Sequence, residues 1–355
     1  MDRRDFMKSA AGLGVGCLTA EAPLPGQTPA AAKRTARMKQ SVTRGVFGRG
    51  AVFEDTCKLA AELGFKGYDL ISPQDWPTLK KYGLVSTMVS AAPATPAPAG
   101  AGRGPAPGAP SVAGQPPAQA GAGQGRGGPG RGGPPGGPPN RFNQPSGPNV
   151  VNRTRPPLPS SMELNLREHH DDQEKLIFEA LDTCAANGIP NVIVFSGYRV
   201  AGGMSDQEAA DNCVSILKRV KARAEDKGVN ICMELLNSRV NHRGYIFDHM
   251  DWGVDVMTRV DSTRVGILYD IYHAAIDDGD VSRYIHNHIR WIKHFHTAGV
   301  PGRYQLDDDQ ELNYRYIAKV IADLGYDGFV GHEYNPSLGA EPTACLKQAF
   351  EIFNI

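Results

Sequence analysis

The sequence predicts an α/β fold, a single (β/α)8 TIM barrel with a disordered Pro/Gly-rich insertion after its third strand. Three observations carry this. Setting aside residues 1–40, which read as an address and linker, and the low-complexity run 91–157 leaves about 250 of the 355 residues, the usual size of one such barrel. The remaining sequence alternates short apolar runs with amphipathic stretches eight times, as a parallel sheet covered by helices requires. No GxGxxG turn follows a strand run, although an open doubly wound sheet would usually carry one. The barrel is therefore expected over 41–355, interrupted by 91–157.

The strands are expected near 42–46, 67–71, 84–89, 192–196, 230–236, 265–270, 292–297 and 328–334. Helices are expected near 53–63, 74–82, 168–187, 205–227, 248–260, 280–290, 313–323 and 341–353. Gly64, Gly83, Gly188, Gly228 and Gly325 stand between a helix and the next strand, where a left-handed residue stops the helix. The insertion is dense in Pro and Gly and lacks hydrophobic periodicity. It cannot bury enough apolar surface to offset its ordering entropy, and it is predicted to be disordered. The pair His169–His170 opens the third helix and reads as a solvated helix start.

Charge narrows the function classes. Lys+Arg and Asp+Glu both number 38, for a net charge of +0, which excludes an electrostatic nucleic-acid binder. No apolar run approaches the roughly 18 residues of a spanning helix, so an integral membrane protein is excluded. The six cysteines form no CxxC pair and read as small buried hydrophobes. At the amino terminus, Arg3, Arg4, Phe6 and Lys8 precede a short, weakly apolar stretch. This is the pattern of a twin-arginine export signal, an address read by a receptor. It predicts the twin-arginine machinery as a partner and a periplasmic or exported location.

The functional signal is positional. Four late strands end in metal-binding residue types: Glu234 in NICMELL, Asp270 in VGILYD, His294 and His296 in IKHFHT, and His332 and Glu333 in FVGHEY. Strand carboxyl ends converge on one mouth of a barrel, and a carboxylate in an apolar strand is costly unless paired or ligated. Residues i and i+2 share a strand face. His294 and His296 therefore point the same way, with His296 nearer the mouth and His294 a deeper, hydrogen-bonded core residue. His332 and Glu333 face opposite ways, and Glu333 is taken as the one that enters the site. Arg303, on the loop after the seventh strand, suits a substrate carboxylate, phosphate or hydroxyl. Asn237 and Arg239 follow Glu234 at the mouth. Glu311 serves equally as a partner for Arg303 or as a helix-start carboxylate.

The runs MELLNSR, YDIYH, HFHTAGVPGR, ELNY and GYDGFVGHEYNP resemble the hydroxypyruvate isomerase branch of the xylose-isomerase-like barrels, a superfamily that also includes ketose 3-epimerases. The resemblance covers about 41–90 and 158–355. It implies one divalent metal held by Glu234, Asp270, His296 and Glu333. His at the third position is the epimerase-like choice, where the hydroxypyruvate enzymes carry Gln. The resemblance further implies that Glu234 and Glu333 double as the acid/base pair and that His273 contacts a substrate oxygen. The expected activity is a metal-dependent isomerase or epimerase of a sugar or hydroxy-keto acid, working by proton transfer through an enediolate. Three carboxylates and one imidazole favour Mn2+ or Mg2+, with Co2+ or Zn2+ as further options. No organic cofactor is needed, and an oligomer is compatible with the sequence. Two alternatives keep the barrel: an exported 3-keto-glycoside lyase or dehydratase, and a non-catalytic sugar-binding barrel.

Overall fold

The structure is a computed structural model that describes residues 38–91, 163–199 and 203–355. The twin-arginine reading and the predicted disorder of the insertion fall outside the described residues.

Eight parallel strands close into a barrel in sequence order. They are β1 (Lys39–Val42), β2 (Gly67–Asp69), β3 (Val85–Ser90), β4 (Asn191–Val194), β5 (Asn230–Glu234), β6 (Val265–Asp270), β7 (Ile292–Thr297) and β8 (Phe329–His332). Closure is direct: Lys39 to Val42 pair in register with Phe329 to His332. The helices are α1 (Phe53–Leu63), α2 (Trp76–Lys81), α3 (His170–Asn187), α4 (Asp206–Lys227), α5 (Met250–Val260), α6 (Ile271–Asp277), α7 (Val281–His288), α8 (Tyr314–Asp323) and α9 (Pro342–Phe353). Gly188 and Gly228 end α3 and α4 in the left-handed region, as the sequence predicts.

Strand alternation divides the core. Val192, Val194, Ile231, Met233, Ile267 and Tyr269 join one large cluster with the surrounding helices. Their neighbours in sequence, Ile193, Cys232 and Leu268, pack with Met88 as a separate small cluster, which is the apolar part of the barrel interior. The remaining interior is polar, and the site is built there.

Three local expectations are corrected. β1 lies about three residues earlier than predicted, because Gln40 and Ser41 are buried polar residues that break the apolar pattern, while Arg44–Phe47 forms a 3-10 turn. An additional helix, α6, springs directly from β6. Its start is the side chain of Asp270, whose Oδ1 accepts from the backbone N–H groups of Tyr272 at 2.8 Å and His273 at 3.2 Å, as an N-cap does. His170 is buried and donates from Nε2 to the Leu164 carbonyl at 3.0 Å, so it anchors α3 to the preceding loop and is not a solvated start.

Candidate metal and catalytic site

The same alternation carries polar residues to the mouth. Cys232 faces the interior, so Glu234 follows it there two residues later. Leu268 and Asp270, His294 and His296, and Gly331 and Glu333 repeat the pattern on the next three strands. Register aligns them: Glu234 lies opposite Leu268, Asp270 opposite His296, and His296 opposite Gly331. One ligand atom from each of Glu234, Asp270, His296 and Glu333 lies within 4.8 Å of the others. Glu333, just past β8, is the most open of the four, with a side chain 28% exposed. The cluster therefore opens to solvent from that side.

His296 Nδ1 stands 2.9 Å from Glu333 Oε2 and 3.6 Å from Glu234 Oε1. It is fully buried and makes no hydrogen bond. Its Nε2 faces Asp69 Oδ2 at 3.0 Å. Arg303 reaches into the same space. Its Nη2 is 2.7 Å from Glu333 Oε2 and 3.1 Å from Asp270 Oδ2, and its guanidinium lies over the Tyr272 ring. The Arg303 backbone has φ of 58°, a left-handed conformation that costs a non-glycine residue roughly 1 kcal/mol or more and tends to cluster at functional sites.

The charges are strongly coupled. Burial raises the Asp270 carboxyl above its ordinary range, against the pull of Arg303 and His296. Burial also opposes ionisation of Glu333, but Arg303 and then His296 outweigh it and hold this carboxyl below its ordinary range. Burial disfavours a charged His296, yet Glu333, Asp69 and Glu234 together raise it well above the histidine range. His273 goes the other way. Burial and the neighbouring Arg303 push it well below that range, so it is neutral.

His273 has a defined tautomer. Its Nδ1 accepts from the Asn237 backbone N–H at 3.1 Å, so its proton sits on Nε2. That Nε2 is 3.0 Å from Arg303 Nη1. Two donors thus lie side by side in the site wall, an arrangement that an oxygen acceptor facing both would satisfy. Asn237 lies behind this pair. Its Oδ1 caps the Val240 and Asn241 N–H groups, and its Nδ2 donates to Asn241 Oδ1 at 2.8 Å. The predicted substrate residue Asn237 is therefore buried behind His273, and its amide is engaged by Asn241 and by His273 Nδ1, which lies 2.6 Å from Asn237 Nδ2.

The other expected residues divide between the barrel interior and its outside. His294 is buried one layer deeper, 2.7 Å from Asp69 Oδ2. His332 turns to the outer face of the barrel. Arg239 is largely exposed and pairs with Asp277 at 3.3 Å. Glu311 is exposed. The residue that sequence reasoning missed is Asp69. It ends β2 in GYDLI, and its one sequence signal was a carboxylate at the end of an apolar strand.

Buried Nδ1 of His296 tests whether a metal fits. An imidazole nitrogen with no hydrogen bond, set among three carboxylates on convergent strand ends, matches the donor set of a hard divalent ion. Fold and site together define a (β/α)8 barrel with an acidic, single-histidine cluster, able to hold a metal ion, at the carboxyl ends of strands five to eight. The chain belongs to the xylose isomerase-like TIM barrel family, whose description matches residues 158–353. It is 37% identical over 116 residues to a 2-oxo-tetronate isomerase of Cupriavidus necator, covering 33% of this chain and 44% of that protein. It is 29% identical over 172 residues to the 2-oxo-tetronate isomerase of Pectobacterium atrosepticum, covering 48% and 64%. The chain thus spans about half the length of these curated relatives. Among solved structures, an AP endonuclease of family 2 from Brucella melitensis superposes with a TM-score of 0.60 at 21% identity, covering 90% of this chain and 100% of the other. That likeness concerns the fold alone. No described helix is long and apolar enough to cross a membrane.

Proposed function

We propose that this chain is an isomerase or epimerase of a small sugar or hydroxy-keto acid. It depends on one divalent ion, Mn2+ or Mg2+ by preference, and proceeds by proton transfer through an enediolate. The observation that carries this reading is the cluster itself: a buried, unbonded His296 Nδ1 facing Glu234 and Glu333 beside two donors on His273 and Arg303. The 2-oxo-tetronate isomerase relatives support the reaction class.

Glu234, Asp270, His296 and Glu333 would hold the ion. When bound, it supplies polarisation of a carbonyl beside the carbon that gives up its proton. The residues of the chain do the rest. His273 Nε2–H and Arg303 Nη1 donate to a substrate oxygen and orient it. Glu333, kept ionised at neutral pH, and Glu234 take the α-proton and return it to the neighbouring carbon or to the other face. The substrate loses no atoms, so the products are those of an isomerase or an epimerase. Export to the periplasm through Arg3 and Arg4 belongs to this proposal and favours a carbohydrate met outside the cytoplasm.

The test is incubation of the protein with Mn2+ and a panel of ketoses and hydroxy-keto acids, hydroxypyruvate included, in D2O. NMR should find solvent deuterium at the α-carbon of at least one substrate, dependent on the added ion. Absence of exchange across the panel would overturn the proton-transfer reading.

A further inference from the structure

Asp69 sits on β2, on the other side of the barrel from the strands that supply the cluster, and is 1% exposed. Its Oδ2 lies 3.0 Å from His296 Nε2 and 2.7 Å from His294 Nε2, and its Oδ1 takes the hydroxyl of Thr87. An ionised carboxylate only accepts, so both rings must present N–H at Nε2. In the neutral ring, the form in which a histidine ligates a metal, His296 then keeps its lone pair on Nδ1, the atom that faces Glu234 and Glu333.

The surrounding donors agree with that assignment. With its proton on Nε2, His294 offers Nδ1 as an acceptor to Asn191 Nδ2 at 3.4 Å. Asn191 Nδ2 also donates to the Thr87 carbonyl at 2.9 Å, and Asn191 Oδ1 accepts from Asn230 Nδ2 at 2.9 Å. Directionality is consistent from Asn230 through to His296. Room for the carboxylate comes from Gly331. A Cβ there would meet Asp69 Oδ2 at 2.3 Å, His296 Cδ2 at 3.0 Å and His294 Nε2 at 3.1 Å, so any larger residue would drive the carboxylate away from both rings.

We propose that Asp69 is the positioning residue of the metal centre: it fixes His296 as the Nε2–H tautomer and thereby aims Nδ1 at the ion, while His294 and Gly331 hold Asp69 in place. The inference rests on the reading that the cluster binds a divalent ion. Asp69 acts through His296, whose Nε2 it holds, as outer carboxylates do for metal-bound histidines.

The experiment titrates the purified full chain with Mn2+ by calorimetry, in wild-type, Asp69→Ala, Asp69→Asn and Gly331→Ala forms, each checked for a cooperative thermal transition. Asp69→Ala should weaken binding by about 10–100-fold. Asp69→Asn keeps an oxygen acceptor and should recover part of that loss. Gly331→Ala retains Asp69 but displaces it, so it should also weaken binding and serves if Asp69→Ala fails to fold. In 15N-histidine spectra of the Zn2+-loaded protein, wild type should show one ring with metal at Nδ1 and a proton at Nε2, and Asp69→Ala should lose that single pattern. A wild-type chain that binds no Mn2+ would sink the metal reading itself. Normal Mn2+ affinity in folded Asp69→Asn and Gly331→Ala, beside a wild type that binds, would overturn the role of Asp69 and leave the metal site standing.

Discussion

His296 and His332 are both fully buried at the ends of neighbouring strands, yet their surroundings differ in kind. His332 lies in the outer wall of the barrel. Its Nδ1 accepts from Thr297 Oγ1 at 2.8 Å, and its Nε2 donates to Gln40 Oε1 at 3.0 Å. Gln40 in turn donates to the Phe350 carbonyl at 3.1 Å, and the rings of Phe65 and Phe353 pack edge-on against the imidazole. This network is closed and involves neutral groups. Around His296, by contrast, one ring nitrogen has no hydrogen bond, three carboxylates crowd together, and a strained arginine reaches between them. Buried polar groups are normally satisfied, and local departures from that rule concentrate where a protein binds or reacts. The two histidines therefore separate a closed structural network from the proposed functional one within a single pair of strands.

The largest effect should come from breaking the functional side. Glu333→Gln preserves size and an amide oxygen while removing the negative charge. It should cut α-proton exchange by at least about 10² with little change in the thermal midpoint. His332→Gln, one residue away, should leave exchange near the wild-type rate. Normal exchange in Glu333→Gln, measured by NMR in D2O on a confirmed substrate, would erase the distinction.

Much of this contrast was legible in the sequence. The periodicity of two places His294 and His296 on one face and sends His332 and Glu333 to opposite faces, and the register bears out that geometry. The closed barrel was legible from its eight alternations. What escaped was polar and local. β1 was displaced because Gln40, buried to serve His332, reads as a surface residue. α6 was hidden because Asp270 both ends a strand and caps a helix, and no sequence pattern separates those roles. Asp69 was missed because its partners lie 225 and 227 residues away in the chain, and only closure of the barrel brings them to β2.

Asp270 sharpens the comparison within one side chain, since Oδ1 caps α6 and Oδ2 faces the cluster. Asp270→Asn retains a capping oxygen and should keep most of the stability, while Mn2+ affinity falls by at least about 10², more than loss of an outer partner would cause. Asp270→Ala should lose the same affinity and, in addition, about 1 kcal/mol of stability from the missing cap. Calorimetric titration reads the first effect and denaturant unfolding the second. Equal stability in the two variants would show that the cap contributes nothing measurable, and unchanged affinity in both would remove Asp270 from the metal site.

The closed side can be broken by acid. Burial lowers His332 from the ordinary 6.5 to about 3, so the folded chain holds this ring neutral while the unfolded chain protonates it near pH 6.5. Between those values the unfolded state binds the extra proton, and stability must therefore fall as pH falls. The contribution is intact above pH 6.5 and should decline by about 2 kcal/mol by pH 5, at roughly 1.4 kcal/mol per unit once the unfolded group is charged. His273 has the same sign, whereas Asp270, raised by burial, has the opposite one. The clean measurement is therefore a difference. His332→Gln supplies an amide in place of the ring and cannot titrate. Its denaturant-unfolding stability should be lower than wild type at pH 7.5, and the gap should narrow as pH is brought to 5. A gap that stays constant across that window would mean that His332 keeps an ordinary pKa in the folded chain, and that its network is less closed than the hydrogen bonds to Thr297 and Gln40 indicate.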